Sequence, residues 1–365
     1  MVSRRLLLSA VCTALLAPGA TAGVVSAGER MAKVAVFPVE NLSGGAAPAD
    51  EVRRFLIDRL ATEGIGVLDD KALDGFVTRH RVRYAAGIDA PTADALRQET
   101  GAEGVVIASF ELSNDAAPPK VALTVRLVST KGSPIVVWAG DAGLSGDDAP
   151  GWFQLGLVND YPTLFGKALD RLAGSLVGYL KTGQAGREPD AASKFRPKMV
   201  YRSHAIEPDR PYTIAVVPFV NLSGRRNAGE ILALHFIRHL SAIPSFRVVD
   251  TGDVRRQLLG ARIIMDGGLS LSDAETVAAL SEADFVLGGR VIRYDDYEGP
   301  SGNARVEFSA VLIERKSRRI AWSSTSYNDG RDGVLFFERG TSKTAHAMAS
   351  QMVQHAAGMI AGRQR

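Results

Sequence analysis

Cysteine is nearly missing from this chain: Cys12 stands alone among 365 residues. It lies inside an N-terminal stretch that reads as an export signal. Once that stretch is removed, disulfides, thiol catalysis and cysteine-based metal sites disappear together. An excess of one charge is lacking too. The 43 Lys and Arg are set against 40 Asp and Glu, and Arg4 and Arg5 belong to the signal. The mature chain is close to neutral, without the electrostatic footprint of a nucleic-acid binder. The apolar stretch Leu6–Leu16 is too short to span a bilayer comfortably. No Gly-x4-Gly-Lys phosphate loop follows a strand, and no Ser/His/Asp set is recognisable.

Arg4 and Arg5, the apolar Leu6–Leu16 and the small residues after it follow the grammar of a secretory signal over residues 1–27. Cleavage is expected after Ala22 or Ala27. Lipidation of Cys12 is not expected, because Val11 occupies the place where an acylated cysteine needs a small neighbour. Ser3–Leu7 loosely resembles a twin-arginine signal, and ordinary Sec export is favoured. Localisation is therefore expected to be the periplasm, with outer-membrane association left open.

What the chain does have is an internal repeat. Val34–Gly44 reads VAVFPVENLSG, and Ile214–Gly224 reads IAVVPFVNLSG. Further matches follow in order. Gly66–Asp70 answers Arg247–Thr251, Gly101–Phe110 answers Glu282–Val291, and the stretch ending at Trp138 answers that ending at Trp322. A period this long implies two copies of one domain, not a solenoid. The expected domains are 32–181 and 211–362, joined by a polar linker over 182–210 whose middle, Phe195–Tyr201, is basic with aromatic flanks.

Within each copy, a short apolar run such as Val34–Phe37 predicts a strand covered on both faces. Val52, Phe55, Leu56 and Leu60, repeated by Leu232, Phe236, Ile237 and Leu240, predict a helix with one apolar stripe. Asn227 with Glu230 has the form of a capping box for the second of these helices. Buried strands over Val105–Phe110 and Phe285–Ile292 lead into hairpins turning at Thr130–Ser133 and Lys316–Arg319. Leu169, Leu172, Leu176 and Leu180 mark a closing helix, matched by Ala345, Met348, Met352 and Ala356. The predicted class is α/β: two tandem related domains, each a mixed sheet with flanking helices in the order β-α-β-α-β-β-β-α.

Candidate chemistry is sparse. His235 and His239 stand at i, i+4, a spacing that can chelate zinc, but Phe236 occupies the place of the usual Glu. A solvated helix face is the preferred reading. The turns Asn41–Gly45 and Asn221–Gly224 read as structural, and the paired acids Asp69-Asp70, Asp147-Asp148 and Asp295-Asp296 as solvated loops. No catalytic, cofactor-binding or metal-ligating residue is expected. Trp152, Phe153, Phe336 and Phe337 follow polar loops and precede a Gly. They read as a clamp on the core or as anchors for a partner.

The opening motif, the apolar strand near Val105 or Phe285, and the hairpin ending in Trp138 or Trp322 resemble a bacterial envelope superfamily. It includes the curli secretion protein CsgG, the N-terminal domain of TolB, the lipoprotein activators of penicillin-binding proteins and the middle domain of a flagellar outer-ring protein. That resemblance implies a scaffold, an activator or a secretion pore, roles that need no catalytic residue. The loops Ser113–Lys120 and Asp295–Asn303 are too short and polar to supply membrane-spanning hairpins, so a pore is disfavoured. The expected function is a non-enzymatic envelope scaffold or adaptor, with envelope proteins or a second copy as partners and no nucleic acid. Peripheral contact with a membrane is compatible, and no transmembrane segment is expected in the mature chain. The alternative is a periplasmic receptor for a small molecule or glycan bound between the domains.

Overall fold

The computed structural model describes residues 31–148, 157–207, 210–263, 271–297, 303–332 and 341–362. Strand β1 (Lys33–Val36) is followed by the two-residue β2 (Glu40–Asn41), helix α1 (Ala49–Thr62) and β3 (Gly66–Val67). Helices α2 (Asp70–His80) and α3 (Ala90–Thr100) lead to β4 (Gly104–Asn114), β5 (Lys120–Ser129) and β6 (Ile135–Ser145), and α4 (Tyr161–Thr182) closes this half. The second half runs β8 (Tyr212–Val216), β9 (Val220–Asn221), α5 (Ala228–Ser241), β10 (Phe246–Val249), α6 (Thr251–Gly260) and α7 (Leu271–Ser281). It ends with β11 (Phe285–Asp295), β12 (Arg305–Glu314), β13 (Ile320–Asp329) and α8 (Ala345–Ile360). Between the halves lies β7 (Met199–Arg202).

All of these strands belong to one sheet, ordered β3-β1-β4-β5-β6-β10-β8-β11-β12-β13-β7, with β2 beside β4 and β9 beside β11. The first five strands and the next five repeat one order. In each, a parallel trio is centred on the motif strand and runs on into an antiparallel hairpin. Register irregularities also recur, at Phe110/Leu112 and at Val291/Arg293. Val136 pairs with Val248 and Ile135 with Val249, so β6 and β10 join the halves antiparallel. Each thereby covers an edge that the other half would leave unpaired.

The predicted stripes pack as their periodicity requires. Val52, Leu56 and Leu60 of α1 and Leu169, Leu172, Leu176 and Leu180 of α4 fill one core under β4 and β5. Burying each such side chain contributes about 1.5–3 kcal/mol. The largest core belongs to neither half alone. It unites Phe76 of α2, Leu96 of α3 and Val136 of β6 with Phe236 of α5, Trp322 of β13 and Met352 of α8. Every residue of α5 from Ile231 to Leu240 is buried, as expected for a helix covered by structure on all sides.

The joining segment is more ordered than its composition suggests. Gln354 Nε2 donates to Pro189 O at 3.0 Å, and Ala192 N to Gln351 Oε1 at 3.3 Å, laying residues 189–192 along α8. Phe195 is buried, and β7 then pairs antiparallel with β13. Four strand residues, of which Met199, Val200 and Tyr201 stay exposed, leave too short an alternation to read as a strand.

Candidate functional site

The NLSG turns are structural, and the two are built alike. Asn41 Oδ1 accepts from Ser43 N at 3.0 Å and Ser43 Oγ at 2.7 Å, while its Nδ2 donates to Gly45 O at 2.7 Å. Asn221 makes the same bonds to Ser223 and to Arg225 O. The second turn then reaches the first: Arg225 donates to Ser43 O at 2.6 Å and to Glu111 O. Asn227 sits at the start of α5 as expected but forms no capping bond. Its backbone is left-handed, φ 58°, and its side chain donates instead to Leu42 O at 3.2 Å.

The same seam holds two buried charged groups. In one, Arg126 of β5 donates from Nε to Asp250 Oδ1 at 3.0 Å, with both side chains essentially inaccessible. Asp250 Oδ2 also accepts from Ile88 N at 2.8 Å and from Gly252 N at 3.0 Å, which caps α6. Arg126 Nη2 donates to Thr251 Oγ1 at 2.8 Å and to Ala86 O. The chain crosses here backbone to backbone, since a Cβ on Gly252 would lie 2.2 Å from Ile88 N.

The other group is the candidate site. Here the reading of His235 and His239 as a solvated face is corrected, for both are buried. That face of α5 is covered by β6 of the first half and by α8. His239 Nε2 accepts from Arg238 Nη1 at 2.8 Å and lies 3.0 Å from Ser350 Oγ. His235 turns away from it, toward His346 on α8, with ring centroids 4.5 Å apart. His346 sits in the first turn of α8, whose start is capped by Thr344 Oγ1 accepting from Ala347 N. Its Nδ1 is 2.5 Å from Glu111 Oε2 and its Nε2 is 3.1 Å from Asp141 Oδ2. Thr124 donates to the other Glu111 oxygen at 2.5 Å. Gly143 makes room for this approach, because a Cβ there would lie 2.4 Å from the His346 ring.

Arg238 Nη2 bridges Asp141 Oδ1 at 2.8 Å and Glu188 Oε1 at 2.5 Å. Burial would lower the His346 pKa, but Glu111 and Asp141 outweigh it and hold the imidazole up to about 10. Burial, reinforced by charge on His346, takes His235 down to about 4. Burial and then Arg238 push His239 well below its usual value. Asp141 is held well below the carboxylate range: burial opposes this, and Arg238 and His346 overcome it. Beside the cluster a cavity of about 520 Å³ opens between the halves, lined by Trp138, Asp141, Arg171, Glu188, Arg238 and His239 among others.

Trp152, Phe153, Phe336 and Phe337 lie outside the described residues. Glu111, Asp141, Arg126, Asp250 and His346 did not stand out in the sequence. Their signal was available: Glu111 and Arg126 are single charges in otherwise apolar strand segments, and a lone charge in such a strand needs a buried partner. Among the described residues, no helix is long and apolar enough to cross a membrane.

No protein-family model matches the chain, and no curated protein matches it. Solved structures do, over part of its length. A PelC dodecamer from Paraburkholderia phytofirmans is 19% identical over 43% of this chain and 96% of that one, with a TM-score of 0.29. The C-terminal domain of LpoB from Salmonella enterica is 19% identical over 31% of this chain and 82% of that one, TM-score 0.27. Lipoprotein GNA1162 from Neisseria meningitidis is 19% identical over 40% and 99%, TM-score 0.29. These are likenesses of fold over less than half of the chain, and none assigns it a function.

Proposed function

We propose that this protein is a non-enzymatic scaffold or adaptor of the bacterial envelope, exported to the periplasm. We read it as a tandem duplication of one CsgG/TolB-like α/β unit over 32–181 and 211–362. The observation that carries the scaffold reading is an edge of the sheet that stays unpaired among the described residues. There β7 exposes Met199 at 70%, Val200 at 45% and Tyr201 at 53%, close to Tyr327 on β13. A sheet edge with apolar side chains is what an extended segment of a partner protein pairs with, backbone bonds giving affinity and side chains giving selectivity. Trp152, Phe153, Phe336 and Phe337 join the proposal as further partner contacts. Site-specific photo-crosslinking from position 200, also exposed on β7, tests it in the host. A discrete envelope-protein adduct is expected, lost in Met199→Lys/Tyr201→Asp and weakened in Phe336→Ala/Phe337→Ala, with thermal melts unchanged. Equal crosslinking from the charged-edge variant refutes the role of β7.

The cavity beside Arg171 and Arg238 favours one second reading, a receptor for a small molecule or glycan held between the halves. Ligand-induced stabilisation that Arg171→Ala removes, with crosslinking unaffected, chooses it over the scaffold.

A further inference from the structure

Glu111 of β4, His235 of α5 and His346 of α8 come from both halves of the chain. Each offers a donor atom, and these atoms all lie within 4.8 Å of one another. All three side chains are at most 2% exposed. We propose that these residues form a binding site for a first-row divalent cation of the zinc type, tying the first half of the chain to the second. Two imidazole nitrogens and one carboxylate oxygen are a donor set that suits zinc, and three protein ligands leave a fourth position for water. This inference goes beyond the scaffold reading and does not depend on it.

The groups behind the donors are already in place. Thr124 occupies Glu111 Oε1 and leaves Oε2 turned toward His346. With His346 Nδ1 serving as ligand, its Nε2–H donates to Asp141, which Arg238 holds from the far side. A carboxylate behind a metal-bound histidine fixes the ring's tautomer and orientation. His235 supplies the independent sign of a missing ligand. Its Nδ1 is buried with no hydrogen-bond partner, Asp141 Oδ2 lying 3.8 Å off, beyond hydrogen-bond reach, and its Nε2 reaches only Tyr294 OH, at 3.5 Å. A buried ring nitrogen without a partner is destabilising, and coordination removes that penalty.

Charge points the same way. Glu111 and Asp141 are buried carboxylates, and Arg238 is shared between Asp141 and the partly exposed Glu188. Asp296 and Arg225 also act on Tyr294, together with Glu111 and Asp141, and Arg225 donates to the Glu111 carbonyl. A dication between neutral imidazoles offsets the two buried carboxylates more fully than one proton on His346 does. The i, i+4 pair that the sequence suggested is not the chelate. His239 is taken by Arg238 and Ser350, and the second imidazole comes from a helix 111 residues farther along the chain.

The test uses the untagged full-length protein after chelator treatment, titrated with Zn2+ by calorimetry and followed by thermal melts. One equivalent should bind and raise the melting temperature, since a ligand held only by the folded state stabilises it. Glu111→Gln and His235→Gln should abolish that binding. Thr124→Val, which disturbs only the support of Glu111, should weaken it about 10-fold. His204→Gln, on an exposed loop residue, should change nothing. Failure of wild type to bind one equivalent overturns the proposal and leaves a protonated His346 bridging two carboxylates. Undiminished binding in Glu111→Gln, His235→Gln or Thr124→Val also overturns it, because the ion is then elsewhere. Should the ligand variants not fold, the wild-type titration and Thr124→Val still decide.

Discussion

Replacing Arg126 by Met isolates the contribution of the seam to stability. The guanidinium is 1% exposed and Asp250 0%, so the substitution leaves a carboxylate in the interior without its counter-charge. Asp250 keeps its bonds from Ile88 N and Gly252 N, and these soften the loss without neutralising the charge. Ala86 O and Thr251 Oγ1 also lose a donor. Breaking a buried pair from one side costs about 3–5 kcal/mol. At roughly 2–4 °C per kcal/mol for a large domain, the melting temperature should fall by roughly 6–20 °C, nearer the lower end for a chain of this size. Arg126→Met/Asp250→Asn should recover part of the loss. It removes both charges while the Asn oxygen still accepts from the backbone, and Arg126 Nη1 has no partner to forfeit. Circular dichroism melts of the three proteins measure this. A single variant within about 2 °C of wild type, or a double variant no more stable than the single, refutes the view that this pair holds the halves together.

Gly252→Ala should destabilise as severely, because its Cβ would meet Ile88 N at 2.2 Å, backbone against backbone. Gly166→Ala, on an open face of α4 with nothing within 4 Å, should be neutral or stabilise by about 1 kcal/mol, and urea midpoints compare the two. In chelator-treated protein, stability should peak near pH 6–7. His346 binds its proton more tightly folded than unfolded, so its contribution is present below pH ~6.5 and fades as pH rises toward about 10. His235 is depressed to about 4, so its neutral form supports the fold above pH ~6.5 and that support is lost as pH falls toward about 4; His239, held well below its usual value, acts in the same direction. Melts that are flat between pH 6.5 and 9.5 contradict the assignment of a charged His346.

The order of elements was legible in the chain because it rests on local periodicity. An apolar run bounded by Pro and by an Asn-Leu-Ser-Gly turn can form only a short buried strand, and β1 and β8 are such strands. The stripe on α4 and the polar turns of both hairpins place those elements without knowledge of neighbours. Residues matched in the sequence occupy corresponding strands: Val34 and Ile214 pair with Val67 and Val248 on one side, and with Gly104 and Phe285 on the other.

The tertiary structure alone decided what lies between the halves. Apolar residues on every face of α5, Ile231, Ala233, Leu234 and Leu240 among them, mark a helix covered all round. The local pattern does not say what covers it, and the histidines read as solvated until β6 and α8 were seen to enclose them. Glu111, His235 and His346 are separated by 124 and 111 residues, and no sequence period links them. They meet because β6 pairs with β10 and brings the first half's hairpin under the second half's helices. Sequence determines the fold of each half through short-range patterns. The site arises from packing one half on the other, where buried charges must find partners wherever the chain happens to supply them.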